Sequence, residues 1–416
     1  MATKPTIALI PSGYGTNKVY SVLPSDGSGD FTFGRTGTAT RINKDKLIES
    51  VGSNIPRIDY LDSTCPSLLL EPQSTNFVTH SNDFSQSIYG KINLTITQNQ
   101  SISPDGTQNA NLLVPNATLG NRYLTNSTGS NLKINTVFLK KKELRYVNVG
   151  NAQSTVLVDL ENGTISSSSV LTNNFTIENY GNGWYRISCY NTSDVNLQIQ
   201  IFFGVDGSGS NIATNGTDGV YIYGFEIQNS SFPTSHIPTT GTSVTRIGET
   251  ANKTGLTPYI NDSEGVFYLE ISRLNQGQTG SSIWSLSNGS NSNAVSMYYA
   301  NSGIVVDIFS SSGVKILNYG MSFLEQANFN KLIIKYKSND IALWVNGLKV
   351  AVNTNAISLS GLNQINASYG GGGFPFFGKT KDLRVYNTAL TDLEIETLTS
   401  FTSFNAMALA LNYTIY

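Results

Sequence analysis

Apolar and polar residues alternate along most of the chain in short stretches. A period of two is the pattern of a β-strand that has one face against a core and the other toward solvent. Gly, Asn, Asp and Ser interrupt the alternation at spacings typical of β-sandwiches and barrels. The pattern therefore predicts an all-β protein of antiparallel strands.

The strand segments fall into two sets separated by "GTSVTRIGETANKTG" at 241–255, which has the composition of a linker. The first set includes "INTVFLK", "STVLVDLENG", "NGWYRISCY", "NLQIQIFFGV" and "GVYIYGFEIQ"; the second includes "GVFYLEIS", "AVSMYYANSG", "IVVDIFSSSG" and "GKTKDLRVYN". We predict two antiparallel β-sandwich (jelly-roll) domains in tandem, at 76–245 and 256–402.

The clearest local structure is "KLIIKYKSNDIALWVNGLKVAV" at 331–352, where turn residues separate three strands and predict an antiparallel meander. Only "TALTDLEIETLTSF" at 388–401 predicts a helix. Thr391 can cap it, and Glu394 completes a capping box. We expect Leu393, Thr397 and Leu398 to share one face of that helix.

The two ends of the chain differ from the predicted sandwiches. Residues 1–75 are irregular and lack the sustained apolar pattern of an independent core, so we expect an attachment region that needs a partner surface. Within "CPSLLLEPQSTN", the leucines at 68–70 should be buried where this region ends against the first sandwich. Pro72 would end strand pairing because it has no N–H. The apolar segment 403–416 should complete a sheet or a subunit contact.

Composition restricts the classes of function. Charged residues make up 13% of the 416 residues and the net charge is −2, which argues against a nucleic-acid or anionic-membrane surface. No run of 18 apolar residues predicts a membrane helix, and residues 1–10 do not have the pattern of a signal peptide. We therefore expect a protein that is made in the cytoplasm and not exported through a cleaved leader.

Residues suited to catalysis are few. The only histidines, His80 and His236, are not near a G-x-S-x-G string. Glycosidases use paired carboxylates, but Asp392, Glu394 and Glu396 lie in the predicted helix, where acids favour its N-terminus. The sequence predicts no enzyme and no catalytic residue.

No cofactor site is predicted either. The string "YGGGGFPFFG" at 369–378 lacks the Lys-Ser/Thr of a phosphate loop, so it predicts a turn with close backbone approach. The carboxylates of Asp159, Asp206 and Asp218 could serve a structural Ca²⁺, but scattered acids do not define a site.

A binding surface can be inferred from the parity of two strands. If "NTSDV" at 191–195 joins the strands at 184–190 and 197–203 as a hairpin, their apolar rows face the core together. The opposite face would then present a glycan platform of Trp184, Arg186, Tyr190, Gln198 and Gln200, in which an aromatic face stacks on sugar C–H groups. The alternative is that a bulge places Trp184 in the core.

Aromatic residues of the second sandwich suggest further positions. Trp284, Tyr298 and Tyr299 could contact a ligand at the loop rim, although the pattern does not define a site there. Trp344 alternates with Leu343 and Val345, which leaves a core and an outer placement equally open.

The N-terminal strings resemble those of tailed-bacteriophage virion proteins. They are R-x-x-x-A-T-R at 35–41, N-x-P-R-I-D-Y at 54–60 and L-L-L-E-P-Q-x-T-N at 68–76. The stretch from "DLENGTI" to "VTRIGE" resembles a carbohydrate-binding-module-like jelly roll, with His236 where Tyr is usual. The stretch from "FYLEIS" to "DLEIETL" resembles a concanavalin A-like (laminin-G-like) lectin domain.

This resemblance implies a non-enzymatic virion component, a head or tail fibre or appendage that is made in the host bacterial cytoplasm. Its N-terminal region would bind other virion proteins, and its sandwiches would bind host-surface glycans. A homo-oligomer, most often a trimer, is also implied, with no nucleic-acid partner and no membrane insertion. The alternatives are a polysaccharide depolymerase and a bacterial surface lectin or adhesin.

Overall fold

The computed structural model describes residues 4–15, 18–21, 31–117, 122–126, 134–150, 155–166, 175–190, 199–202, 215–274, 278, 280 and 282–400. Nearly all regular structure in these ranges is strand, which confirms the predicted all-β class. None of the helices in these ranges is long and apolar enough to cross a membrane. The segment 403–416 lies outside the described residues.

The strands are numbered in chain order. The first sixteen are β1 (Ile7–Gly15), β2 (Lys18–Ser21), β3 (Thr32–Gly34), β4 (Ala39–Ile42), β5 (Ile48–Val51), β6 (Arg57–Asp59), β7 (Ser67–Leu70), β8 (Ser74–Asn76), β9 (Tyr89–Ile92), β10 (Leu94–Ser101), β11 (Ala110–Pro115), β12 (Tyr123–Asn126), β13 (Ile134–Lys141), β14 (Tyr146–Gly150), β15 (Thr155–Asp159) and β16 (Thr164–Ser166). The others are β17 (Phe175–Asn179), β18 (Trp184–Tyr190), β19 (Ile199–Phe202), β20 (Val220–Gln228), β21 (Val244–Arg246), β22 (Thr250–Lys253), β23 (Glu264–Ser272), β24 (Ser282–Ser287), β25 (Ala294–Ala300), β26 (Gly303–Ser310), β27 (Gly313–Gly320), β28 (Asn330–Lys337), β29 (Ile341–Val345), β30 (Leu348–Asn353), β31 (Gln364–Asn366) and β32 (Gly378–Tyr386). The helices are α1 (Phe323–Ala327) and α2 (Asp392–Ser400).

The chain folds into two compact units, each assembled from separate parts of the sequence. Unit 1 comprises Met1–Gly37, Val51–Pro72 and Gly248–Tyr416, and unit 2 comprises Thr38–Ser50 and Gln73–Ile247. The final return to unit 1, at Gly248, falls inside the segment 241–255 that has the composition of a linker. The units therefore differ from the contiguous ranges that the sequence predicts.

Unit 2 is a β-sandwich of two antiparallel sheets. One sheet has the order β10-β11-β20-β13-β18-β17, with β8 and β21 attached, and the other has the order β16-β15-β14-β19-β12-β9. Their inner faces form one apolar core that includes Leu113, Val137, Val149, Ile187 and Phe225. Burial of these alternating side chains holds the two layers together.

Unit 1 is a second sandwich. Its nine-stranded sheet has the order β2-β1-β32-β23-β28-β29-β30, with β6 and β7 attached, and its seven-stranded sheet has the order β27-β26-β25-β24-β31-β22-β3. The core between them includes Phe267, Trp284, Met297, Val306 and Leu343. Strands β28, β29 and β30 form the predicted antiparallel meander.

Five of the N-terminal strands belong to the sheets of unit 1, namely β1, β2, β3, β6 and β7, whereas β4 and β5 pair with each other. Strand β1 pairs with β32, and β7 also pairs with β32 through Leu68–Thr380 and Leu70–Gly378. The leucines at 68–70 are buried, as predicted, but their strand partner lies in unit 1 and not in the sandwich that follows them. Three successive leucines predict burial on both faces of a sheet, and they do not identify the partner strand.

Four charged residues of unit 1 meet in its interior. The guanidinium of Arg57 makes ion pairs with Glu71, at 2.6 Å, and with Glu249. Glu249 also accepts a hydrogen bond from Arg35, at 2.6 Å. All four side chains are at least 95% buried. Such charges are stable in a protein interior only when they are paired.

Helix α2 covers part of the outer face of the nine-stranded sheet. Ile395 and Leu398 belong to the same apolar cluster as Trp344, which is fully buried on that outer face. Thr391 and Glu394 form the predicted capping box, with Oγ1 and Oε2 each accepting a backbone N–H. Leu393, in contrast, is 73% exposed, so the predicted face that it shares with Leu398 is wrong.

Candidate functional site

The predicted platform on β18 is not open to a ligand. Trp184 is 1% exposed, and its indole N–H donates to the carbonyl of Ile102 at 3.1 Å. The predicted parity is confirmed, because Ile187 and Cys189 lie in the core of unit 2 on the other face of β18. The error concerns the outer face, which other segments of unit 2 cover.

Arg186 has a structural environment on that covered face. Its guanidinium pairs with Glu226 at 2.7 Å and donates to the carbonyl of Thr234, also at 2.7 Å. His236 Nδ1 lies 3.2 Å from the same carboxylate. Burial opposes ionisation of Glu226, but electrostatic interactions with His236 and Arg186, together with hydrogen bonds, lower the pKa of this carboxyl. Arg186 therefore balances a buried charge.

The remaining platform residues are not brought together. Tyr190 is half-buried at the end of β18, and Gln198 lies outside the described residues. Gln200 lies on β19, which pairs with β12 and β14 in the opposite sheet. The predicted hairpin between these strands is wrong, because β18 and β19 belong to different sheets of the sandwich.

The acids considered for calcium do not define a site. Arg145 holds both carboxylate oxygens of Asp159, at 2.9 and 2.7 Å, and Asp206 lies outside the described residues. In the part of the chain that the structure describes, no three or more His, Cys, Asp or Glu side chains are grouped as metal ligands.

A better candidate lies on the outer face of the seven-stranded sheet of unit 1. Directly paired residues of antiparallel strands share a face, and Met297 and Val306 are a pair in the core. The neighbouring pair, Ser296 and Asp307, must therefore face outward. The same outward face contains Tyr298 of β25 and Phe309 of β26, both half-buried.

A glycine-rich loop at 368–375 lies against this outward face. Gly370 is in contact with β24, since a Cβ at this position would come within 2.4 Å of Ser287 Cβ. The N–H of Gly371 donates to Asn291 Oδ1 at 2.8 Å. Close approach of this kind requires glycine, and it confirms the close backbone approach predicted for the string at 369–378.

The loop adds two aromatic rings to those of the sheet. Tyr369 makes edge contacts with Tyr298, Phe309 and Phe374, with ring centroids 5.7 to 6.3 Å apart. Phe374 is 59% exposed and has a φ of 46°. A bulky residue in this left-handed region costs free energy, and such strained positions cluster at functional sites. We call Tyr298, Asp307, Phe309, Tyr369 and Phe374 the aromatic patch.

Asp307 lies beneath the rings. Its Oδ2 accepts hydrogen bonds from Tyr298 at 2.8 Å and from Tyr369 at 3.2 Å. Burial raises the pKa of the Asp307 carboxyl above its usual value, and the two tyrosine hydrogen bonds offset this only in part. Among the described residues, Asp307 Oδ1 and the neighbouring Ser296 Oγ are buried without a hydrogen-bond partner. Each such group calls for an explanation.

Sequence reasoning identified single parts of this patch but not the patch itself. Tyr298 was a predicted rim contact, whereas Trp284 and Tyr299, considered with it, are fully buried in the core. The signal that could have found the site is the parity of β25 and β26, which places Tyr298 and Asp307 on one face. The position of the loop over that face depends on long-range packing.

Comparisons with known proteins give only distant structural likenesses. No protein-family model matches the sequence, and no curated protein matches it. The carbohydrate-binding module (CBM40) of the Ruminococcus gnavus IT-sialidase bound to α2,3-sialyllactose is 18% identical, with a TM-score of 0.30, over 34% of this chain and 84% of that chain. Domain 4 of the arabinanase AbnA from Geobacillus stearothermophilus, in complex with arabinotriose, is 13% identical, with a TM-score of 0.31, over 41% and 84%.

A pentraxin gives a likeness of the same extent. The heptameric SAP-like pentraxin from Limulus polyphemus is 18% identical, with a TM-score of 0.29, over 34% of this chain and 71% of that chain. The chain thus has distant structural similarity to carbohydrate-binding and pentraxin β-sandwich domains.

Proposed function

We propose that the protein binds glycans without cleaving them, and that the aromatic patch of unit 1 is the binding site. The observation that carries this proposal is the exposed Phe374 beside half-buried tyrosines that are hydrogen-bonded to a buried carboxylate. Aromatic faces stack on the C–H groups of sugars, and nearby hydroxyls form hydrogen bonds with sugar hydroxyls. The patch combines both kinds of contact.

A binding role suits the patch better than hydrolysis does. Glycoside hydrolysis needs two carboxyl groups on either side of the scissile bond. Asp307 is the one carboxyl among the five residues of the aromatic patch, and its Oδ2 accepts hydrogen bonds from Tyr298 and Tyr369. One acid held by two tyrosines can position groups, but it does not supply a general acid together with a nucleophile or base.

The first prediction concerns Phe374. Phe374→Ala should weaken binding to polysaccharides from the bacterial host surface by about fivefold or more, because a stacked ring contributes ~1 kcal/mol or more. Affinity would be measured by surface plasmon resonance on immobilised polysaccharide. Leu393→Ala is the matched control, since it also removes a large exposed side chain from unit 1.

Two results would contradict the proposal. If Phe374→Ala and the unchanged protein bind with equal affinity, the aromatic patch is not the binding site. New reducing ends, appearing when the protein is incubated with the same polysaccharide, would support the depolymerase alternative.

We further propose that the glycan-binding protein is a tailed-phage virion component, a head or tail fibre or appendage. The support is the resemblance of the strings at 35–41, 54–60 and 68–76 to virion proteins. The second prediction is that antibodies raised against the protein label intact particles of the phage that encodes it, as seen by immunogold electron microscopy. Antigen found only in the soluble lysate, with unlabelled particles, would contradict a virion location.

A further inference from the structure

The direction of the hydrogen bonds in the aromatic patch bears on what the patch can bind. A carboxylate can only accept, so both tyrosine hydroxyls use their single hydrogen on Asp307 Oδ2. The hydroxyl oxygens of Tyr298 and Tyr369 can therefore only accept hydrogen bonds from a ligand. A ligand must therefore supply hydrogen-bond donors, as sugar hydroxyls do.

The negative charge of Asp307 beneath the rings also restricts which ligands the patch can bind. Asp307 is 5% exposed, and the aromatic patch around it contains no lysine or arginine. A negative charge without a cation in a partly desolvated site repels a second negative charge. A ligand sulfate or carboxylate would lose hydration there and gain no ion pair.

The strand beside Asp307 adds apolar surface. Ile316 lies directly opposite Asp307 on the edge strand β27, and Val314 lies opposite Phe309. They are 55% and 47% exposed. Their place on the outer face follows from Leu317, which lies in the core on the other face of β27. This strip can contact C–H groups of a sugar but cannot neutralise an anion.

We infer that the aromatic patch selects neutral, hydroxyl-rich glycans and excludes anionic ones, and that Asp307 is the residue that sets this selectivity. The inference rests on the proposed function, since it concerns the same patch. Asp307 acts as a positioning residue: it orients the tyrosine hydroxyls as acceptors and supplies the repulsive charge.

The third prediction tests this selectivity with matched probes. An array would carry neutral oligosaccharides, each beside its O-sulfated form, which stays ionised across the pH range used. The unchanged protein should bind neutral probes at least about tenfold better than sulfated ones at pH 7.5. Asp307→Asn keeps the side-chain shape and removes the charge, so this ratio should fall severalfold.

The pH dependence separates this role from a merely structural one. Burial raises the pKa of Asp307, so acidification protonates it before an ordinary carboxyl and should reduce discrimination by the unchanged protein. Discrimination by Asp307→Asn should not change with pH. Tyr298, Tyr369 and Ser296 face the carboxyl from β25 and the loop, and β27 presents Ile316; none of these titrates in the acid range.

The possible failures are distinguishable. If neutral and sulfated probes bind equally well and Phe374→Ala weakens both, the patch binds glycans and the inferred selectivity is overturned. If Phe374→Ala changes binding to no probe, the proposed function itself fails. Tyr298→Phe removes one acceptor with little change in shape, and it should weaken binding to neutral probes. If Asp307→Asn folds poorly, Tyr298→Phe still tests whether the tyrosine hydroxyls accept hydrogen bonds from the ligand.

Discussion

At the scale of single residues, the buried charges of unit 1 give the strings at its N-terminus a physical meaning. Arg35, Arg57 and Glu71 come from the three strings that resemble virion proteins, and Glu249 comes from "VTRIGE". The ion pairs among them join four distant points of the chain. The charged residues of these strings form buried ion pairs inside unit 1.

The fourth prediction concerns the centre of this cluster. Arg57→Ala leaves Glu71 and Glu249 buried with their main cation removed, and loss of one partner of a buried pair costs about 3–5 kcal/mol. Unit 1 should lose stability by that amount. The measurement is hydrogen exchange pulse-labelling across a urea series, with mass spectrometry of peptides from β23 and β28.

The control is an exposed ion pair of the same unit. Lys337 pairs with Glu264 at 2.8 Å, and both side chains are at least partly exposed. Lys337→Ala should change the urea midpoint little, because solvent screens such pairs. A midpoint for Arg57→Ala as high as that of Lys337→Ala would show that the buried cluster does not stabilise unit 1.

At the scale of elements, local patterns predicted the strands well when the partner was near in sequence. The meander of β28, β29 and β30 depends on turns of a few residues, and "SND" and "NG" specify those turns. The capping box of α2 is equally local. Such elements need no information from distant parts of the chain.

Elements with distant partners could not be predicted in the same way. The apolar parity of β18 was right, but Trp184 is covered by the loop that contains Ile102, 82 positions earlier. Strands β18 and β19 are near in sequence and lie in different sheets. The alternation of apolar and polar residues along a strand predicts which side chains share a face, but it does not predict which segment covers that face. The candidate site was missed for the same reason.

At the scale of the whole molecule, the order of the chain does not match the order of its units. Residues 38–50 belong to unit 2, although the segments on both sides of them belong to unit 1. The sequence predicts residues 1–75 as one region, because the strands in this range lack a core of their own. Strands β1 and β3 instead pair with β32 and β22, which begin more than 200 residues later.

The last prediction concerns assembly, which we propose is trimeric from the same resemblance to virion proteins. Light scattering on the purified protein should give three times the chain mass of 45.0 kDa, and a mass equal to that of one chain would exclude the trimer. The proposed glycan contact uses only a few rings and hydroxyls, so a single site should bind weakly. Three copies on one glycan-coated surface can raise overall affinity by about 10²–10⁴-fold without any new contact. A variant that remains monomeric should therefore lose most of its affinity for a dense glycan surface. Its affinity for the free oligosaccharide should stay the same.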